Sequence, residues 1–164
     1  MSHNRSPDDL VRYISIPDES PLQGLKTSGT KGQMSMVAGD FIECYSSPSD
    51  AGVFSVVVTV FFLDTAANVL KYIETIHHVL ETNGVWINLG PLAWHFEPDA
   101  DNSRPGGNIE LTLTELITVI LQSGFKFESG PHLDQHTIST PYMANSRGML
   151  TYIYDAEFWV ARKL

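Results

Sequence analysis

Three short segments carry the residues best suited to chemistry: Gly39-Asp40-Phe41, Asp64-Thr65-Ala66 and Gly90-Pro91-Leu92-Ala93-Trp94-His95. Each follows a stretch with the composition of a strand. In open α/β sheets, ligands bind where strand ends deliver polar side chains to loops. A carboxylate at such an end accepts hydrogen bonds from an amine or hydroxyl, and an adjacent aromatic covers a flat ring. The chemistry implied is a small-molecule pocket with two acids and an aromatic wall. Each residue also has a purely structural use. Asp64 precedes a helical pattern and can cap it, Asp40 can serve a turn, and Trp94 and Phe96 can pack beneath the loop that follows. His77 and His78 fall on the polar side of a helix, while His95, His132 and His136 are scattered among loops. Nothing here has the pairing of a metal site, so no metal is expected. The sequence also lacks a Gly-x-Ser-x-Gly elbow and a G-x-G-x-x-G or phosphate loop, which argues against a hydrolase triad and a standard nucleotide fingerprint.

The elements that must position these segments follow from periodicity. Met34, Met36 and Ala38 alternate with Ser35 and Val37, which predicts a short strand ending at Gly39-Asp40. Val53 to Phe62 is dense in β-branched and aromatic residues on both faces, as expected of a strand covered by helices on both sides. Val69, Tyr72, Ile73, Ile76, Val79 and Leu80 form a helical stripe, with Asn83-Gly84 suited to positive φ beyond its end. Val85 to Leu89 reads as a second buried strand, stopped by Gly90-Pro91. Asp99 to Gly107 is a polar loop with turn residues at Arg104-Pro105-Gly106-Gly107. Thr112 and Glu115 have the spacing of a capping box ahead of Leu113, Leu116, Ile117, Ile120 and Leu121, with Gly124 as terminator. Phe125 to Glu128 is a short strand, Ser129 to Gly148 a polar stretch, and Thr151 to Arg162 a final strand. This order predicts an α/β fold with a mostly parallel sheet and antiparallel strands at the C-terminal end. Residues 1–33, rich in Ser, Pro, Gly, Asp and Lys, read as a weakly ordered lead-in. The globular part is assigned to residues 34–164.

The chain has 164 residues, the length of one domain. Ten Lys and Arg against 19 Asp and Glu give a net charge of −9, unsuited to a nucleic-acid backbone. A single cysteine, Cys44, excludes an internal disulfide and fits a reducing compartment. The longest apolar run is far shorter than the roughly 20 residues of a membrane span, and the N-terminus lacks a secretory h-region. The expectation is a soluble cytoplasmic chain, with the nucleus as a second compartment, without a nucleic-acid or membrane partner.

Three blocks resemble the C-terminal half of the carnosine N-methyltransferases: Met34-Ser35-Met36-Val37-Ala38-Gly39-Asp40-Phe41, Phe61-Phe62-Leu63-Asp64-Thr65-Ala66 and Gly84-Val85-Trp86-Ile87-Asn88-Leu89-Gly90-Pro91-Leu92. Lys71 to Ile76 resembles the family helix between them. The likeness runs from about Gln33 to Phe127 and more loosely to Lys163. It implies half of a Rossmann-like methyltransferase sheet, S-adenosylmethionine as cofactor, and an imidazole nitrogen of carnosine or a similar histidine-containing dipeptide as acceptor. By resemblance, Asp40, Phe41 and Val60 contact the cofactor, with Asp40 on the adenine amino group and Phe41 against the ring. Asp64 holds the imidazole of the substrate, and Trp94 stands where the family has a substrate-contacting Tyr. No residue is assigned as catalytic. A family histidine near the C-terminal strand has no clear counterpart in 150–158. The family's glycine-rich loop also has no counterpart before Met34, so the cofactor pocket is expected to be incomplete. The competing expectation is a non-catalytic fragment or paralogue that associates through an exposed sheet edge.

Overall fold

The computed structural model describes residues 3–9, 13–29, 31–95, 108–130, 137–142, 145 and 147–164. Strand β1 (Phe54–Val60) leads through a 3-10 turn at Leu63–Thr65 into helix α3 (Val69–Val79) and then β2 (Leu80–Gly90). Helix α4 (Leu113–Gln122), β3 (Phe125–Ser129), β4 (Thr137–Tyr142) and β5 (Tyr152–Lys163) follow. Two short helices, α1 (Pro21–Thr27) and α2 (Phe41–Tyr45), precede the sheet. The strand order is β1-β2-β5-β3, with β4 also on β5. β1 and β2 pair in parallel, and β5 runs antiparallel to β2, β3 and β4. Four strands therefore share one direction, and β5 alone opposes them. Glu157 pairs with Gly90 on one side and Thr137 on the other, which puts β4 on the same edge of β5 as β3.

The helical readings rest on the packing that motivated them. Val69, Tyr72, Ile73 and Ile76 of α3 and Leu116 and Ile120 of α4 bury against Trp86, Phe125, Trp159 and Ala161 in one core. Thr112 and Glu115 form the capping box, each side chain bonded to the other's backbone N–H. Beneath the helices a polar chain crosses the sheet. Trp86 Nε1 donates to Thr59 Oγ1 at 2.8 Å, which donates to Asn88 Oδ1 at 2.8 Å.

Four expectations need correction. Residues 31–38 have no regular structure and are exposed, so Met34–Ala38 is not a strand here. Alternation makes a strand only where a partner takes its hydrogen bonds, and this stretch joins no ladder. Both α3 and α4 cover the same face of the sheet. On the other face Val56, Val58 and Val60 remain 48%, 59% and 56% exposed, so β1 is not covered on both sides among the described residues. The left-handed residue Asn83 (φ 65°) lies inside β2, which follows α3 without a linker. There β2 bulges: Phe54 pairs with Leu80 but Val56 with Val85. Finally, part of the stretch expected to be polar loop forms β4, an edge strand that tolerates Pro141 because it lies at the border of the sheet. The loop at Asp99–Gly107, Phe96, His132 and His136 lie outside the described residues.

Candidate functional site

The C-terminal end of β1 holds an unusual backbone. Phe61 has φ 50°, a left-handed conformation that a bulky residue adopts only when its surroundings enforce it. Its N–H donates to Leu89 O at 2.8 Å, which draws the end of β1 onto the end of β2. Gly90 permits that approach, since a Cβ there would lie 3.1 Å from Phe61 N and 3.2 Å from its Cα. The turn ejects the Phe61 ring from the sheet and sends the chain into Leu63–Thr65, where Asp64 is 3% exposed.

Asp64 is not a helix cap. Asn68 has that job, its side chain accepting from Leu70 N at 3.0 Å. Asp64 instead anchors the segment after β2: Ala93 N donates to Oδ2 at 3.2 Å, and His95 N donates to the Asp64 carbonyl at 3.1 Å. Burial pushes the Asp64 carboxyl above the usual aspartate range, and the Ala93 N–H and the charge of His95 oppose that shift without cancelling it. A cavity of about 80 Å³ opens beside it, lined by Phe61, Asp64, Pro91, Ala93, His95, Tyr142 and Tyr154. Three of these residues supply rings that form a wall. Phe61 stacks on Tyr142 with centroids 5.4 Å apart, and Tyr154 meets Phe61 and Tyr142 edge-on at 5.8 Å and 5.6 Å. The two tyrosines come from neighbouring strands: Tyr142 pairs with Tyr152, which makes Tyr154 its diagonal neighbour on the same face.

Trp94 does not line this cavity. Alternation along 91–95 gives Pro91, Ala93 and His95 to the cavity, while Leu92 and Trp94 pack against the core. Of the residues lining this cavity, the sequence reading named Asp64 as a candidate site residue, noted His95 only as one of several scattered histidines, and did not single out Phe61, Tyr142 or Tyr154.

Asp40, Phe41 and Val60 form a second group. Asp40 caps α2, its Oδ1 accepting from Ile42 N at 2.9 Å and Glu43 N at 3.1 Å. Its turn role is thus real, and Oδ2 has no protein partner among the described residues. Phe41 packs with Tyr45, Phe62 and Tyr72 at centroid distances of 5.6, 5.2 and 5.2 Å. It also lines a groove of about 300 Å³ with Tyr45, Phe54, Val56, Val57, Val58 and Val79. Val60 stands exposed on the uncovered face of the same strand. Phe41 touches Phe62, two residues from Asp64, so both groups converge on the C-terminal end of β1. An aromatic face beside a carboxylate oxygen suits a purine carrying an amino group, so these residues fit the adenine end of S-adenosylmethionine. Among the described residues no strand precedes β1, and no glycine loop stands ready for the other end of such a cofactor.

The family model for carnosine N-methyltransferase matches residues 1–164. The chain is 40% identical over 167 residues to the carnosine N-methyltransferase of Schizosaccharomyces pombe, covering 99% of this chain and 43% of that enzyme. It is 37% identical over 163 residues to the Rattus norvegicus enzyme, covering 37% of it. The chain thus spans less than half the length of these relatives. Among solved structures, a putative S-adenosylmethionine-dependent methyltransferase from Listeria monocytogenes aligns with TM-score 0.51 at 14% identity, over 87% of this chain and 75% of that one. The [4+2]-cyclase SpnF aligns with TM-score 0.50, also at 14% identity, over 87% of this chain and 60% of that one. Likeness at this level identifies a methyltransferase-type fold and leaves chemistry to the site. The family match, covering the whole sequence, goes further: this chain belongs to the carnosine N-methyltransferase family.

Proposed function

We propose that the chain provides the acceptor site and the adenine end of the cofactor site for methyl transfer from S-adenosylmethionine to an imidazole nitrogen of carnosine or a related histidine-containing dipeptide. The observation that carries this reading is Asp64. Its carboxylate is buried, held at Oδ2 by Ala93 N–H, and set in a cavity walled by Phe61, Tyr142 and Tyr154. An imidazole donating its N–H to Asp64 is fixed in one tautomer, with the lone pair of its other nitrogen directed away from the acid. The cavity is well below the ~300 Å³ of pockets that enclose drug-sized ligands, in keeping with one small ring.

When bound, the cofactor supplies an electrophilic sulfonium methyl; Asp40, Phe41 and Val60 would hold its adenine end. The acceptor nitrogen would present its lone pair to that methyl, and the methylated ring would carry a positive charge. Asp64 stabilises that charge through the remaining N–H, and the tyrosine and phenylalanine faces attract it. Positioning and water exclusion supply most of the acceleration, without a covalent enzyme intermediate. Titrating the labelled chain with carnosine tests the site by NMR. Shifts should cluster at Phe61, Asp64, Ala93, His95, Tyr142 and Tyr154 and be absent with β-alanylalanine, which lacks the ring. Shifts of equal size with both dipeptides would overturn the reading.

A second reading, an interaction role, is favoured by the open face of the sheet. Val56, Val58 and Val60 are exposed there, and β1 has no partner on its outer edge among the described residues. The occupant in that reading is the remainder of a methyltransferase, docked as a further strand and covering helices. A Val58→Lys substitution should then block association with such a partner while leaving the carnosine shifts intact.

A further inference from the structure

The described N-terminal residues 3–9 are tied to the connection between β4 and β5. Asn4 forms an antiparallel bridge with Gly148, and Met149 N donates to His3 O at 2.8 Å. Asn145 Nδ2 donates to Asn4 Oδ1 at 3.4 Å. Arg147 Nη1 reaches Asp9 Oδ1 at 3.2 Å, and that aspartate side chain is only 9% exposed. Arg147 is itself oriented by its own N–H, which donates to Asn145 Oδ1 at 3.1 Å. The clipped residues are therefore 145 and 147–149. They begin three residues beyond Tyr142 and end three residues before Tyr152, the cross-strand partner of Tyr142.

We propose that this N-terminal clip, centred on the Asp9–Arg147 pair, positions the Tyr142 and Tyr154 rings against Phe61; the consequence for substrate rests on the function proposed above. β4 lies at the border of the sheet, and its described backbone pairing is with β5 alone. An edge pair of strands held on one side splays readily unless its connection is fixed. The clip fixes it through backbone pairing at Gly148 and Met149 and through one ion pair, in which the Asp9 side chain is largely buried and the Arg147 side chain is exposed. Asp9 and Arg147 are thus positioning residues: neither lines the cavity, yet both act on the rings that do.

The experiment uses the full chain and three variants: Asp9→Ala, Arg147→Ala, and the charge exchange Asp9→Arg with Arg147→Asp. The first readout is the nuclear Overhauser contact between the Phe61 and Tyr142 rings together with hydrogen exchange at the Met149 amide. The second is carnosine affinity by NMR titration. Each single substitution should weaken the ring contact, speed Met149 exchange and lower carnosine affinity by up to about fivefold, the upper range for a single ion pair near a surface. The exchange variant should restore both. An unchanged Phe61–Tyr142 contact in Arg147→Ala would overturn the proposal whether or not carnosine binds. Absence of carnosine binding by the unmodified chain, with the ring contact still dependent on Arg147, would instead overturn the proposed function and leave the clip standing.

Discussion

Replacing Asp64 by Asn separates the charge of the acid from its shape. Asn keeps an oxygen to accept from Ala93 N–H, now at 3.2 Å, so the local fold of 91–95 should persist. What it loses is the negative charge opposite the substrate N–H. A hydrogen bond to a charged group contributes roughly 1.5–3 kcal/mol, so carnosine affinity should fall about 10- to 150-fold. Stability should move the other way. Burial raises the folded-state pKa of Asp64 above its unfolded value. The folded state therefore holds the proton more tightly, and stability declines as pH rises from the unfolded pKa through the folded one. Near neutral pH, Asp64→Asn should leave the melting temperature unchanged or raise it, and any deficit of the parent chain against the variant should close as pH falls, because protonation relieves the buried charge. The assay pairs carnosine titration with thermal melts at pH 4 and pH 7. A variant that binds carnosine as well as the parent refutes the assigned role of Asp64. One that melts lower at pH 7 refutes the claim that its buried charge is a liability.

Other consequences follow from particular contacts. Thr59→Val leaves Trp86 Nε1 and Asn88 Oδ1 without their bonds to the hydroxyl and should destabilise the chain by about 1–3 kcal/mol in denaturant unfolding. Thr112→Ala removes half of the capping box and should cost about 1 kcal/mol by the same measurement. Tyr154→Phe retains the ring faces and should alter carnosine affinity far less than Tyr154→Ala, which opens the wall; equal losses would assign the hydroxyl the larger role. If the described residues hold only the adenine end of S-adenosylmethionine, as proposed, the isolated chain should bind it at least about a hundredfold more weakly than the longer relatives, the cost of two or three charged-group hydrogen bonds at the methionine end. Micromolar affinity by calorimetry would show that its described residues complete the pocket in another way.

The helices were legible because their signals are local. The α3 stripe and the Thr112–Glu115 box need only their own neighbours to be right, and both are seen. Met34–Ala38 had the alternation of a strand but no partner, a property that no window of sequence contains. β4 was hidden for the opposite reason: Thr137–Tyr142 contains Pro141 and reads as polar loop, yet β5 supplies the pairing that makes it a strand. The site divides along the same line. Asp64 stands at a strand end within a distinctive block, so the sequence could single it out, and the structure places it against the cavity. Phe61 looked like one more strand residue until its positive φ turned the ring outward. Tyr142 and Tyr154 lie about 80–90 residues from Asp64 in sequence and meet it only through β5. Trp94 occupied the expected place in the chain but the wrong parity on its segment, so the core claims it and Ala93 and His95 take the cavity.

The most direct test of the central claim is a hybrid in which this chain replaces the matching 43% of the Schizosaccharomyces pombe enzyme, assayed for methyl transfer to carnosine by mass spectrometry. The account predicts a product methylated on an imidazole nitrogen, with turnover sharply reduced by Asp64→Asn and cofactor affinity preserved. A folded hybrid that binds S-adenosylmethionine but leaves carnosine unmethylated, or whose turnover is indifferent to Asp64→Asn, would contradict it.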